Sequence, residues 1–317
     1  MAAIETEALT KDFPIGFWRP RPYRALESLT LSVGEGEVFG FLGPNGAGKS
    51  TTLKLLMQLL YPTSGTARIL GRPVGDVSVK RRLGFLPEHP YFYDYLTSEE
   101  LLTYFASLFG YHGEDRRRRV AAVLDEVGLG AERRLKLRQC SKGMVQRVGL
   151  AQAILNEPEV IFLDEPMSGL DPLGRRDVRQ LMLRLRARGC TVFFSSHILA
   201  DAEALCSQVA ILAQGRLRAQ GRLSELLAFE LKGWELVVSD LAADRRAALE
   251  SRGVRITHID HDRCTLELPA TPGPEALVHE LAGGGARVVS LMPVRDTLED
   301  LFVREVAAGG RRDTEGL

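Results

Sequence analysis

Short apolar runs that stop at polar clusters alternate with stretches of helical periodicity through the first two-thirds of the chain. Residues 37–42 (EVFGFL) end abruptly at a glycine-rich loop, and TTLKLLMQLL follows with apolar residues three and four apart. Strand, loop and helix in that order open an α/β unit. Val160–Leu163 stops at two acids, and Thr191–Phe194 stops at Ser-Ser-His. Continuous apolar strands between helices predict a parallel sheet covered on both faces, with ligands gathered at the strands' carboxyl ends.

From about residue 90 to 157 the pattern turns helical and predicts a subdomain inserted into the α/β core. Thr97 with Glu100 forms a capping box that starts LLTYFASLF. Arg116–Arg119 lead into the amphipathic VAAVLDEVGL as a solvated helix start, and Ser141 starts MVQRVGLAQAIL. After Glu230 the character changes. WELVVSD, VRITHID, TLELPA and ARVVSLM predict strands, and DRRAALESRG and PEALVHELA predict helices. That β-α-β-β-α-β order predicts a small ferredoxin-like α+β domain over 231–308, closed by the helix LEDLFVREV, with 309–317 a frayed tail. Residues 1–230 form the larger domain.

Length agrees with two domains, since 317 residues exceed the ~250–300 that one core serves. Lys and Arg number 41 and Asp and Glu 41, so the formal charge is zero. A nucleic-acid partner is therefore not expected, because phosphate contacts need surplus cations. No apolar run reaches the ~18 residues that span a bilayer. Acids near the N-terminus disfavour a signal peptide, and four scattered cysteines read as reduced thiols, so a cytoplasmic location is expected. His258-x-x-His261-x-x-Cys264 resembles metal-ligand spacing, but residues three apart on a strand face opposite sides.

The chemistry concentrates in two places. Gly43-Pro44-Asn45-Gly46-Ala47-Gly48-Lys49-Ser50-Thr51 matches G-x-x-x-x-G-K-[ST]. The glycines turn backbone N–H groups inward around phosphates, the following helix adds its positive end, Lys49 reaches the terminal phosphates, and Ser50 can ligate Mg²⁺. Asp164 and Glu165 end a buried strand, and adjacent residues there point to different sides. Asp164 then suits the Mg²⁺ shell, and Glu165 suits polarisation of an attacking water.

With these motifs the chain resembles the ATP-binding subunit of an ABC transporter over about residues 4–230. Cys140-Ser141-Lys142-Gly143-Met144-Val145-Gln146-Arg147 stands where that family often has LSGGQ. The resemblance implies that Ser141 and Gly143 face the ATP of a second subunit, in a homodimer or a heterodimer. Ser168-Gly169-Leu170-Asp171 resembles the loop that links the two sites, with Asp171 among the ATP-binding residues. His197 resembles the histidine that contacts the γ-phosphate, and Phe13 the aromatic ring that stacks on adenine. Tyr23 competes with Phe13, because PIGFWRPRPYR lengthens that loop. The resemblance implies ATP as substrate, Mg²⁺ as cofactor, and an integral membrane permease as partner. It also implies a place on the cytoplasmic face of the membrane.

Two departures stand out. Glu88 replaces the family's glutamine, which puts a carboxylate near the metal and its phosphates. Lys142 and Met144 give the SKGM form, similar to the branch that includes drug, polysaccharide and lipid exporters. The competing function is a soluble ABC-family ATPase acting on ribosomes or DNA. Such proteins usually carry tandem ATPase domains or long coiled-coil insertions, and neither is present.

Overall fold

The computed structural model describes residues 2–16, 18, 21–227, 231–260, 262–295 and 297–312, with side chains described only up to residue 305. In chain order, the first strands are β1 (Ala2–Ile15), β2 (Arg21–Gly34) and β3 (Val38–Leu42), followed by α1 (Lys49–Leu56). Next come β4 (Ser64–Ile69), β5 (Arg72–Pro73), α2 (Val77–Lys80), β6 (Leu83–Leu86), α3 (Ser98–Leu108), α4 (Gly113–Glu126) and α5 (Lys142–Ile154). Then follow β7 (Val160–Asp164), α6 (Pro172–Ala187), β8 (Thr191–Ser196), α7 (Leu199–Leu205), β9 (Gln208–Ala213), β10 (Arg216–Arg222) and α8 (Leu223–Leu226). The chain divides into Met1–Leu223 with the chain from Phe302, and Ser224–Leu301. The change of unit falls at Leu223 rather than after residue 230, because β10 is the last strand to join the larger sheet.

The first unit holds two sheets. One is antiparallel, in the order β2-β1-β4-β5. Hydropathy alone does not predict it, because β1 slips register against β2 at several points and each slip breaks the two-residue alternation. The other has the order β10-β9-β3-β8-β7-β6 and is parallel from β9 to β6, as the continuous apolar runs predict. β3, β7 and β8 are buried throughout. One apolar cluster joins Ile4 and Leu31 of the first sheet, Leu53 and Leu56 of α1, and Phe39, Phe162 and Phe193 of the second. The ring of Phe193 lies 5.3–5.6 Å from those of Phe39, Phe41 and Phe162. Each buried ring contributes about 1.5–3 kcal/mol, so α1 is fixed between the two sheets.

α3, α4 and α5 lie between β6 and β7 in the chain. Thr97 and Glu100 make the expected reciprocal cap. The arginine run departs from its expected solvated role. Arg117 and Arg118 pair on the surface with Glu114 and Asp115, whereas Arg119 donates to the carbonyls of Ile154 and Leu155 at 2.6 and 2.8 Å. Arg119 thereby satisfies carbonyls at the end of α5 that have no helical partner.

The second unit contains β11 (Leu231–Ser239), α9 (Ala243–Ser251), β12 (Arg255–His258), β13 (Arg263–Pro269), α10 (Glu275–Gly283) and β14 (Arg287–Arg295). Its sheet is antiparallel, in the order β12-β13-β11-β14. Leu236, Val238, Leu266, Leu249 and Leu281 belong to its own apolar core. Cys264 belongs to that core too, and His261 lies outside the described residues. α11 (Leu298–Arg312) closes the chain, starting at a reciprocal Thr297–Asp300 cap. It reaches four residues into the stretch expected as tail; 313–317 lie outside the described residues. No helix among the described residues is long and apolar enough to cross a membrane.

Candidate active site

The glycine loop leaves β3 and turns directly into α1. A Cβ at Gly43 would lie 2.3 Å from the carbonyl oxygen of Leu212, so no larger residue fits. Gly48 caps α1 at φ 107°, and a Cβ there would meet Ala25 O at 2.5 Å. Both glycines are therefore fixed by the approach of neighbouring backbone. The first N–H groups of α1 are left without helical acceptors, which makes this loop an anion site.

Lys49 stands at the base of the loop, 6% exposed. Its ammonium donates to Gly43 O at 2.7 Å and Pro44 O at 3.3 Å, and lies 3.2 Å from Glu165 Oε1. Glu165 is equally buried, and its other oxygen is 2.8 Å from His197 Nδ1. Oε1 accepts no hydrogen bond among the described residues, so its contact with Lys49 is an ion pair of poor hydrogen-bond geometry. Three groups predicted separately from sequence thus form one chain of contacts: Lys49, Glu165, His197.

A fourth residue holds this chain in place and was not singled out from sequence. Ser195, fully buried, lies opposite Asp164 in the β7–β8 register. Its hydroxyl donates to Asp164 Oδ1 at 2.6 Å and accepts from Glu165 N at 2.9 Å. Glu165 adopts φ 50°, a left-handed conformation costing roughly 1–2 kcal/mol in a residue with a side chain. The Ser195 bond to its N–H fixes that turn. The apolar run ending in Ser-Ser-His was the available signal, but the pairing of residues 31 apart was not.

Asp201 is also new. On α7, it is 4% exposed, and one carboxylate oxygen has no hydrogen-bond partner among the described residues. Burial pushes its carboxyl above the usual range; Arg175 and Arg179 pull it back, Glu165 raises it and His197 lowers it.

Phe13, Tyr23, Pro44–Thr51, Glu88 and Glu165 line one cavity of about 340 Å³. Phe13 and Tyr23 face each other directly across β1 and β2. Glu88 is half exposed, with Oε1 3.9 Å from His89 Nδ1. Ser141, Gly143 and Asp171 line a separate cavity of about 510 Å³, with Lys142 and Gly169. Ser141 Oγ accepts from Met144 N at 3.2 Å and so caps α5. Asp171, placed among the ATP-binding residues from sequence, spends its carboxylate as the cap of α6, accepting from Gly174 N at 2.9 Å. Gln146 donates to Pro166 O and Arg147 pairs with Asp177, which ties α5 to the end of β7 and to α6. Cys140, beside Ser141, has its thiol pushed up by burial and is not a ready nucleophile.

The ABC transporter family profile matches residues 26–168, which contain the glycine loop, Ser141, Gly143, Asp164 and Glu165. An uncharacterised ABC transporter ATP-binding protein of Synechocystis sp. is 43% identical over 309 residues, 97% of this chain and 85% of that protein. This chain belongs to the ABC transporter ATP-binding proteins. It is an ATP-binding, ATP-hydrolysing subunit on a phosphate-loop α/β core. A fluoroquinolones export ATP-binding protein of Mycobacterium tuberculosis is 40% identical over 204 residues, 64% of this chain and 66% of its own. A dimeric ATP-binding cassette with ADP and Pi in a post-hydrolysis state superposes with TM-score 0.65 at 27% identity. That match covers 69% of this chain and 98% of the cassette.

Proposed function

We propose that this ABC subunit closes with a second ATPase subunit around ATP and drives a separate membrane permease in the direction of export. The observation that carries the catalytic part is the buried contact chain Lys49–Glu165–His197 at the base of the phosphate loop. Lys49 and the loop N–H groups bind the phosphates, and Phe13 lies at the base. A γ-phosphate competes with Glu165 for the Lys49 ammonium and frees Oε1 to take a proton from water. The water oxygen then bonds to the γ-phosphorus, and the β–γ bridging oxygen leaves with its electron pair. His197 holds the other Glu165 oxygen and contacts the γ-phosphate.

Ser50, Asp164 and Glu88 are the oxygen donors that would hold Mg²⁺. An all-oxygen set beside the buried Glu165 Oε1, which is ion-paired with Lys49 but accepts no hydrogen bond among the described residues, suits a small hard cation. When bound, Mg²⁺ supplies positive charge to the phosphate oxygens. Ser141 and Gly143 serve the partner subunit's nucleotide, an arrangement supported by their placement in a cavity apart from the glycine loop.

The neutral charge and the exporter relative favour the permease over a ribosome or DNA as partner, at the cytoplasmic face. We assign the smaller domain a ferredoxin-like fold, a reading supported by its strand order.

Glu165→Gln tests the catalytic assignment. A positioned base contributes ~10²–10⁴-fold, so this variant binds ATP and its turnover falls by that factor. Wild-type turnover in Glu165→Gln removes Glu165 as the base. Tagged Glu165→Gln, extracted with ATP in mild detergent, retains a multi-spanning protein identifiable by mass spectrometry. Ribosomal or DNA-repair proteins in its place reverse the partner assignment.

A further inference from the structure

Another cavity of the first unit, about 190 Å³, opens where the end of α4 meets α5 and α6. It shares Gly128 and Arg147 with the Ser141 cavity, but none of the residues assigned to nucleotide or metal lines it. Its floor is apolar. Val127 at the end of α4, Leu150 of α5, and Val178 and Leu181 of α6 are all buried. Val178 and Leu181, three positions apart, share one face of α6. An apolar cavity of about 150 Å³ holds a benzene ring, so this floor accepts a ring-sized body.

The rim is charged, and its charges pair off with one cation left over. Arg147 donates to Asp177 at 3.0 Å and to Val127 O at 3.3 Å. Glu126 is ion-paired with Arg188 at 2.9 Å. Asp125 turns toward Gly130, where a Cβ would lie 2.1 Å from its Oδ1. Arg184 donates to the carbonyl oxygen of Glu126 at 3.3 Å and pairs with no carboxylate among the described residues. A guanidinium carries five N–H donors in a fork that matches a carboxylate, so most of this one remains for a ligand.

We infer that this cavity binds a small organic carboxylate, with a single ring or short chain on the apolar floor and the carboxylate on Arg184. A few convergent polar groups over an apolar floor are the usual make-up of a small-molecule site. An ammonium would have to displace Arg147 or Arg188 from its acid, or draw Asp125 away from Gly130. The occupant would touch α4 and α5 of the inserted helices and α6 of the core at once.

The test titrates the purified full chain with benzoate, benzyl alcohol and benzylamine, three single-ring probes that differ in charge. Ligand-observed nuclear magnetic resonance follows binding to ~10 mM, where a millimolar site saturates. Benzoate binds about tenfold tighter than benzylamine, because only benzoate meets the spare cation. Arg184→Gln weakens benzoate about tenfold, the size of one lost charge-assisted hydrogen bond, and leaves benzyl alcohol unchanged. Val178→Phe fills the floor and abolishes binding of both. Benzoate that does not saturate overturns the site, as does benzylamine binding equally well or unchanged benzoate affinity in Arg184→Gln. Benzoate displaced by ATP lies in the phosphate-loop cavity, which also overturns it. Arg184 is exposed, so its variant folds. Should circular dichroism show Val178→Phe unfolded, Arg184→Gln decides alone.

Discussion

The phosphate-loop cavity and the Ser141 cavity are built from opposite materials. Around the phosphate loop, charge is buried in advance: Lys49 and Glu165 are each 6% exposed and His197 is bonded behind them. Around Ser141 the cavity offers a capped helix start, glycines and the end of a loop, and its side chains Ser141 and Asp171 already serve their own helices. The first surface holds a buried carboxylate in contact with a buried ammonium and a histidine, whereas the second sets a helix N-terminus among the side chains of Lys142, Arg147 and Glu132. A surface of the second kind is built to neutralise a phosphate, and it lacks the buried acid–cation contact of the first. Under the proposed function, the first cavity is the catalytic half and the second is the complementary half that acts when another subunit presents a nucleotide.

The sharpest way to break the comparison is Lys49→Met, which leaves Glu165 buried beside His197 with no permanent cation. Removing one partner of a buried ion pair costs about 3–5 kcal/mol, so chemical denaturation shows a loss of that size together with lost ATP binding. Full stability in Lys49→Met means that Glu165 is protonated or rehydrated, and that charge is not stored there in advance. Ser195→Ala comes next. It strips the buried Asp164 carboxylate and the Glu165 N–H of their shared partner, at roughly 1–3 kcal/mol. Turnover falls as well, because the Glu165 turn is no longer held. A variant that loses stability while turnover is untouched shows that Ser195 supports the fold alone.

On the other cavity the expected effects are smaller. Asp171→Ala removes the cap of α6 and costs about 0.5–2 kcal/mol by denaturation, leaving ATP affinity of the isolated subunit unchanged. If ATP affinity of the isolated subunit falls tenfold, Asp171 belongs to its own chain's nucleotide site and the division between the cavities fails.

How much of this was legible follows the sequence distance of each contact. The glycine loop, the Thr97–Glu100 cap and the Ser141 cap are local patterns closed within a few residues, and each forms as its spacing predicts. Lys49, Glu165 and His197 were identified separately, but their joining depends on parallel strands set side by side. Ser195 and Asp201 escaped because a Ser in a strand and an Asp in a short helix have no periodic signature; only burial marks them. The arginine run keeps its solvated character at Arg117 and Arg118 and departs from it at Arg119, because adjacent helix positions point different ways and Arg119 meets the end of α5.

Asp201 offers the finest test of stored charge on the catalytic side. Burial raises its carboxyl in the folded chain, so the ionised form is disfavoured by folding. A raised folded value makes its contribution most favourable below the unfolded carboxylate range and lost as pH rises through the folded value. At neutral pH the folded chain therefore bears the cost of a buried charge, reduced by Arg175 and Arg179. Asp201→Asn removes that cost, raising the melting temperature at about pH 8, with the gain shrinking as pH falls toward about 4. A gain that stays constant with pH assigns the effect to packing. A loss of stability at neutral pH shows that the two arginines outweigh burial, and that Asp201 is one more buried charge the catalytic half has already paired.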